Sequence, residues 1–377
     1  MTRRYALCSL SIMVMMGLSL SCREGAPPRS AADSGPHTPA HTTLIYGSAA
    51  PEGALTVEVW YPSETLAPPG APIAEFEASS ASRATLESLL ASAPAGCPRL
   101  RTGAVRDAPA AAELGARPLV VFSHCLNCGR YASFSLAERL ASHGFIVVSP
   151  DHAGALPFAP DRAGESLDEE QLGVRVQALQ RLITASLDGS LFALSPAVEG
   201  LTVDPERIGA MGHSFGSATT GRLAQIDDRV RAAVGLAAPM ASFVFPETDL
   251  EQITAPLLMV LAQEDNSITE VGNDLIRANV EAARSPVWLL EVEDAGHWSV
   301  SDLCGLVPDF MAGCGEGVRH SRGRQGERFT YLSVTRGIDV TRRYATAFFL
   351  AKLQADTSAL SLLNAAGDEQ GLSLRQP

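Results

Sequence analysis

The chain has 377 residues, 46% of them hydrophobic, which is enough for one large α/β domain with a substantial core and too little for two such domains with linkers. A formal net charge of -13 leaves no basic surplus to neutralise phosphates, so composition argues against a nucleic-acid binder. Aromatic residues are sparse, Gly and Pro are frequent, and no fixed-period repeat is visible, as in a loop-rich enzyme.

The segment 1–21 has the form of an export signal, with Arg3 and Arg4 as its basic start and an apolar stretch from Leu7 to Leu20 shorter than a spanning helix needs. Its end, Leu18-Ser19-Leu20-Ser21-Cys22, resembles a bacterial lipoprotein processing site, with Ser19 where that pattern usually has Leu. Lipidation of Cys22 would tie the protein to a membrane in the bacterial cell envelope; plain secretion is the alternative. The Pro-, Ser- and Ala-rich stretch 22–41 reads as a flexible tether, and 42–355 as the folded domain. Leu55 to Tyr61 alternates like a half-buried strand that Pro62 should stop. Residues 63–117 read as an irregular insertion holding a short helix over Thr85 to Ser92.

Pro118 to Ser123 is a continuous apolar run, as a buried parallel strand should be. The loop His124-Cys125-Leu126-Asn127-Cys128-Gly129 follows, then helical spacing over Ser133 to His143, with Gly144 placed to end it. Phe145 to Ser149 is the next buried strand, completing a βαβ unit. A helix is expected over Leu172 to Leu187. A turn at Val203 to Arg207 should then feed the apolar run Ile208 to Met211. Further strands are expected at Val230 to Leu236, Pro256 to Ala262 and Val287 to Val292, with helices over Asp274 to Ala283 and Ile338 to Lys352. The tail 356–377 carries no usable pattern. Polar candidates recur at strand ends, where open α/β sheets bind ligands.

The central motif is Gly212-His213-Ser214-Phe215-Gly216, a strand, sharp turn and helix start with a serine at the tip. A serine hydroxyl needs an imidazole to take its proton and a carboxylate to hold that imidazole in the right tautomer. After Ser214 come Asp265 and then His297, each at a strand end, in the chain order Ser…Asp…His. Glu264 competes directly with Asp265, and Asp294 is a third choice; Asp265 is shorter and the Asp265-Asn266-Ser267 turn should aim it inward. Of the other histidines, His213 lies inside the turn, His124 and His152 precede the serine, and His320 follows no strand. An oxyanion on the attacked carbonyl needs two N–H donors. The backbone of Phe215 should supply one, and Leu126 or its neighbour Cys125 the other.

Val121-Phe122-Ser123-His124, Leu140 to Val147 and Gly212 to Thr219 together resemble platelet-activating-factor acetylhydrolase and its bacterial relatives, a group that includes dienelactone-hydrolase-like and cutinase-like polyester-hydrolysing enzymes. The stretch from Pro256 to Thr269 is similar to the acid-bearing segment of the polyester hydrolases. The likeness runs from about Leu55 to Lys352. It implies an α/β-hydrolase fold, a single domain with a mostly parallel central sheet flanked by helices. It also implies no cofactor or metal, and cleavage of a small-molecule or lipid carboxylic ester through an acyl-enzyme. By this resemblance Ser214 is nucleophile, Asp265 the orienting acid, His297 the base, and Leu126 and Phe215 the oxyanion amides. The family usually has Gly where Cys125 stands, so the geometry of the hole turns on that residue. Ser217 replaces a second family glycine.

Five cysteines remain beyond Cys8 and Cys22, and an exported chain can keep disulfides. The expected pairs are Cys304–Cys314, clipping the loop after His297, and Cys125–Cys128, bracing the oxyanion loop, with Cys97 left odd. Zinc is disfavoured because no second ligand pair has the right spacing. Two other classes stay open: a non-catalytic envelope binding protein whose hole Cys125 has spoiled, and a thiol oxidoreductase using Cys125 and Cys128.

Overall fold

The computed structural model describes residues 33–47, 53–66, 70–94, 97, 101–111, 115–153, 164–306, 313–365 and 369–376. The expected signal segment and Cys22 lie outside the described residues. In chain order, β1 (Thr38–Tyr46) and β2 (Leu55–Ser63) form an antiparallel pair. The region 63–117 then supplies β3 (Ala71–Pro72), a 3-10 turn at Ile73–Phe76, α1 (Ser80–Ser92), β4 (Arg101–Thr102) and β5 (Val105–Arg106). Next come β6 (Arg117–Ser123), α2 (Phe134–Ser142), β7 (Ile146–Pro150) and α3 (Glu169–Leu187). They are followed by β8 (Val203–His213), α4 (Phe215–Ile226), β9 (Val230–Leu236), β10 (Leu257–Ala262), α5 (Thr269–Ala282) and β11 (Val287–Val292). The chain continues through β12 (Glu316–Val318), β13 (Arg328–Thr330), α6 (Val334–Leu353), α7 (Thr357–Ala365) and β14 (Leu372–Arg375).

Among the described residues these strands build a ten-stranded sheet in the order β14-β11-β10-β9-β8-β6-β7-β2-β1-β5. The stretch from β11 to β7 is parallel throughout, and β14 and β2 flank it antiparallel. Alternate residues of each central strand face opposite sides. Val120 and Phe122 of β6 join Phe134, Phe145, Phe348 and Phe349 under α2 and α6. Leu119 and Val121 join Leu179, Leu223 and Ile276 under α3, α4 and α5. Both faces are thus covered, which is why these strands read as unbroken apolar runs.

Several boundaries differ from the sequence reading. Residues 38–41, assigned to the tether, begin β1. Their polar pattern suits a strand because His41 and Thr43 bond the buried Glu58 across the pair, at 2.6 and 2.9 Å. Pro62 does not stop β2; it stays in register opposite Pro39. The insertion is part of the fold: β5 pairs with β1, and Phe76 packs on Trp60, Tyr131 and Phe134. The expected turn at 203–207 is the start of β8, with a register shift against β6 and β9 that absorbs it. Residues 372–375, assigned to the tail, pair with β11.

The expected Cys304–Cys314 bridge does not form. Cys314 is joined to Cys97 of the insertion, and Cys304 is a free, buried thiol. The turn at Gly305, with φ +81°, lies directly on Cys97, so the two segments meet in space although they are far apart in the chain. Cys125–Cys128 is bridged as expected. Among the described residues no helix is long and apolar enough to cross a membrane.

Candidate active site

The site is assembled at the carboxyl ends of β8, β10 and β11. Ser214 sits between β8 and α4 with φ 56° and ψ −120°, a strained conformation for a residue with a side chain. The glycines beside it are sterically required. A Cβ on Gly212 would lie 2.0 Å from the Gly216 carbonyl oxygen, and one on Gly216 would lie 1.9 Å from that of Ser123. The Ser214 N–H donates to Leu236 O at 3.0 Å, which ties the turn to β9. Ser217, where the resembling family has Gly, donates its hydroxyl to Ala238 O at 2.7 Å and so fits without strain.

The structure brings Ser214, Asp265 and His297 together. His297 Nδ1 is 2.7 Å from Asp265 Oδ2, and His297 Nε2 is 2.9 Å from Ser214 Oγ. A carboxylate only accepts, so the proton of the neutral ring sits on Nδ1 and Nε2 is left to accept from the serine. Asp265 is fully buried, and its Oδ1 accepts the N–H groups of Ser267 and Ile268 at 2.8 and 2.9 Å. That turn fixes the carboxylate before the imidazole arrives.

The competing residues have other partners. Glu264 accepts from Arg319 at 2.7 Å, from the Ser321 hydroxyl at 2.6 Å and from the His320 N–H at 2.7 Å, anchoring the 319–321 segment. Burial opposes ionisation of Glu264, but these bonds outweigh it and hold its carboxyl below the usual range. Asp294 pairs with Arg319 at 2.7 Å. His213 donates Nε2–H to the His297 carbonyl at 3.0 Å, and burial together with the nearby His297 pushes its pKa well down. It therefore braces the His297 backbone as a neutral ring. His124 donates Nδ1–H to Cys125 O at 2.7 Å and accepts the His152 N–H at 3.0 Å. Burial and Arg175 keep both of those rings neutral as well.

Cys125 does not carry the conformation that glycine alone tolerates. The left-handed residue of this loop is Asn127, with φ 53°. Asn127 is held by Glu165, which accepts its N–H at 2.9 Å and donates a backbone N–H to its side chain at 3.0 Å. The Leu126 and Phe215 amides have no hydrogen-bond acceptor among the described residues. Free N–H groups are the kind of donor that can receive an anionic oxygen, and that of Phe215 directly follows the serine in the chain. Cys125 and Cys128 are each 1% exposed, which leaves their bridge poorly reachable by an external thiol.

Sequence reasoning missed Arg175 and Glu165. Arg175 is fully buried behind the loop and bonds Glu165 through Nε and Nη2 at 2.7 and 2.5 Å. A signal was available: Arg175 falls on the apolar stripe Leu172, Val176, Leu179, Ile183 of α3, where a charge is out of place unless it is paired.

The chain resembles known hydrolases in sequence and in fold. The sequence profile described as "Dienelactone hydrolase family" matches residues 112–300, half of the chain, and that of "Platelet-activating factor acetylhydrolase, isoform II" matches residues 41–171. The platelet-activating factor acetylhydrolase of Bos taurus is 29% identical over 178 residues, covering 38% of this chain and 39% of that protein. Cutinase est2 of Thermobifida alba is 28% identical over 164 residues, covering 44% of this chain and 47% of that protein. These matches span less than half the length of either relative. The solved ferulic acid esterase from Streptomyces cinnamoneus superposes with a TM-score of 0.61 at 25% identity, over 87% of this chain and 94% of that one. With its mostly parallel sheet flanked by helices on both faces, the chain has the α/β-hydrolase fold and belongs to the dienelactone hydrolase family.

Proposed function

We propose that the protein is a serine esterase that hydrolyses carboxylic esters through an acyl-enzyme on Ser214. The observation that carries this reading is the unbroken hydrogen-bond path from Asp265 through His297 to Ser214 Oγ. His297 Nε2 takes the Ser214 proton as Oγ attacks the ester carbonyl, and Asp265 stabilises the imidazolium that forms. The negative oxygen of the tetrahedral intermediate is received by the N–H groups of Phe215 and Leu126. Collapse expels the alcohol, which takes its proton from His297. A water activated by the same imidazole then releases the acid.

The substrate class is a small-molecule or lipid ester with an accessible acyl group, a short-acyl ester or an acetyl phospholipid, and a polyester is the alternative. Similarity to a platelet-activating factor acetylhydrolase, cutinases and a ferulic acid esterase supports ester cleavage by this chain. The export-signal form of residues 1–21 supports a place outside the cytoplasm, with Cys22 as lipid anchor.

Ser214→Ala should lower kcat on a short p-nitrophenyl ester by roughly 10⁶-fold and abolish labelling by a fluorophosphonate. Retained hydrolysis or labelling in that variant would sink the assignment. A panel of esters graded by acyl length, with an acetyl phospholipid included, identifies the substrate.

A further inference from the structure

The guanidinium of Arg175 is placed between the two backbone segments that carry the free amides. Its N–H groups find acceptors on every side. Nε and Nη2 reach Glu165 at 2.7 and 2.5 Å, and Nη2 also reaches Cys125 O at 3.1 Å. Nη1 reaches His124 O at 2.5 Å and Ser123 Oγ at 3.4 Å. The cation's face lies over the Phe215 ring, with Cζ 4.3 Å from the ring centroid. A buried guanidinium is costly unless fully bonded, and an apolar residue at this position would continue the stripe of α3. What the arginine adds is its grip on the carbonyls of residues 124 and 125 and on the ring of residue 215.

We infer that Arg175 is a positioning residue for the oxyanion hole, an inference that rests on the esterase reading above. The peptide between Cys125 and Leu126 is trans and planar, so its N–H points opposite to its C=O. Drawing the Cys125 carbonyl toward Arg175 therefore turns the Leu126 N–H the other way. That carbonyl also accepts from His124 Nδ1–H at 2.7 Å and from the Cys128 N–H at 3.2 Å, so three donors fix one peptide plane. The cation polarises the same peptide and strengthens its N–H as a donor. Glu165 completes the arrangement from the other side. It fixes Arg175 with both carboxylate oxygens, and one of them also accepts the Asn127 N–H that follows Leu126. Stacking of Phe215 on the guanidinium holds the second donor residue against the same group. One buried ion pair thus sets both halves of the hole.

The test compares the parent with Arg175→Gln, with the double variant Arg175→Gln/Glu165→Gln, which leaves no lone carboxylate buried, and with Arg175→Lys. Each is measured for kcat, KM and inhibition by a trifluoromethyl ketone, which forms a tetrahedral oxyanion adduct on a serine nucleophile. In the glutamine variants kcat should fall about 10- to 100-fold, less than deletion of a donor outright, with KM within about threefold. The inhibition constant should rise by the same factor as kcat falls. Arg175→Lys should restore part of both, since it keeps the charge but not the fork. A folded variant with parental kcat overturns the inference. So does a loss of kcat with unchanged inhibitor affinity, which would mark a purely structural role. If neither glutamine variant folds, Arg175→Lys is measured in the same two ways, and parental kcat or unchanged inhibitor affinity in it overturns the inference equally. A parent that hydrolyses no ester and takes no fluorophosphonate at Ser214 overturns the esterase reading and this inference with it. An active parent with indifferent Arg175 variants overturns the inference alone.

Discussion

Asp302 offers a test of how the loop after His297 is held. Its Oδ2 accepts the Ser135 N–H at the start of α2, and its Oδ1 the Ser135 hydroxyl, both at 2.7 Å, while its own N–H donates to Ala132 O at 3.1 Å. Burial pushes its carboxyl up from 3.8 to about 7; the Ser135 bonds and Arg342 oppose this, and Glu138 adds to it. A carboxyl whose pKa is higher folded than unfolded binds more protons in the folded state. Its contribution is therefore fully present below the unfolded pKa and lost as pH rises through the folded one. At roughly 1.4 kcal/mol per pH unit the whole loss is about 4 kcal/mol, of which about 2 kcal/mol falls between about pH 5.5 and 8.5. Asp302→Asn removes the titration and keeps both contacts, because its oxygen accepts the Ser135 N–H and its amide donates to Ser135 Oγ. Urea denaturation of parent and variant at several pH values isolates this group, since every other titration is common to both. The variant should gain on the parent by about 2 kcal/mol across that window. A gap independent of pH, or one that narrows as pH rises, would refute the reasoning.

Two further expectations concern the elbow and the cross-link. Gly216→Ala places a Cβ 1.9 Å from the Ser123 carbonyl oxygen, so the turn must open. Fluorophosphonate labelling of Ser214 should fall by about 10³-fold or more, the scale of losing an oxyanion donor, even in the fraction that folds. Peptide mapping without reduction should recover Cys97 joined to Cys314 and Cys304 free; a Cys304–Cys314 peptide would contradict the fold described. Cys97→Ser and Cys314→Ser should each lower stability by about 2–4 kcal/mol in denaturant, and the double variant by no more than either, because all three lose the same bridge.

The sheet's centre was legible because strands covered on both faces are continuous apolar runs, and a polar residue ending such a run stands out. Ser214, Asp265 and His297 were visible for that reason. Glu264 and Asp265 differ in sequence only by one position, yet the structure gives them separate tasks: Glu264 gathers 319–321 while Asp265 faces the imidazole. The periphery was less legible. β1 hides its partnership with β2 in polar residues, since His41 is inside only because Glu58 is. β14 is held by backbone pairing on an edge strand, and four residues carry too little pattern to announce it. The Cys97 pairing depends on how the 63–117 region folds back, which no local spacing encodes. Arg175 was overlooked because a charge within a helix is ordinarily solvated, and its partner Glu165 lies outside any regular element.

The antiparallel strand β14 bears on the order in which the molecule can be completed. Its partner β11 leads straight into the Asp294 to His297 turn, and the Glu293 N–H donates to Gly371 O at 2.8 Å. A chain made from its N-terminus presents β11 as an open sheet edge until residues 371–375 arrive, with α6 and α7 intervening. An unpaired edge beside apolar strands is a template for other chains. The strand that delivers the imidazole therefore stays open to self-association until a segment remote in sequence from the chemistry docks and takes over the edge of the sheet.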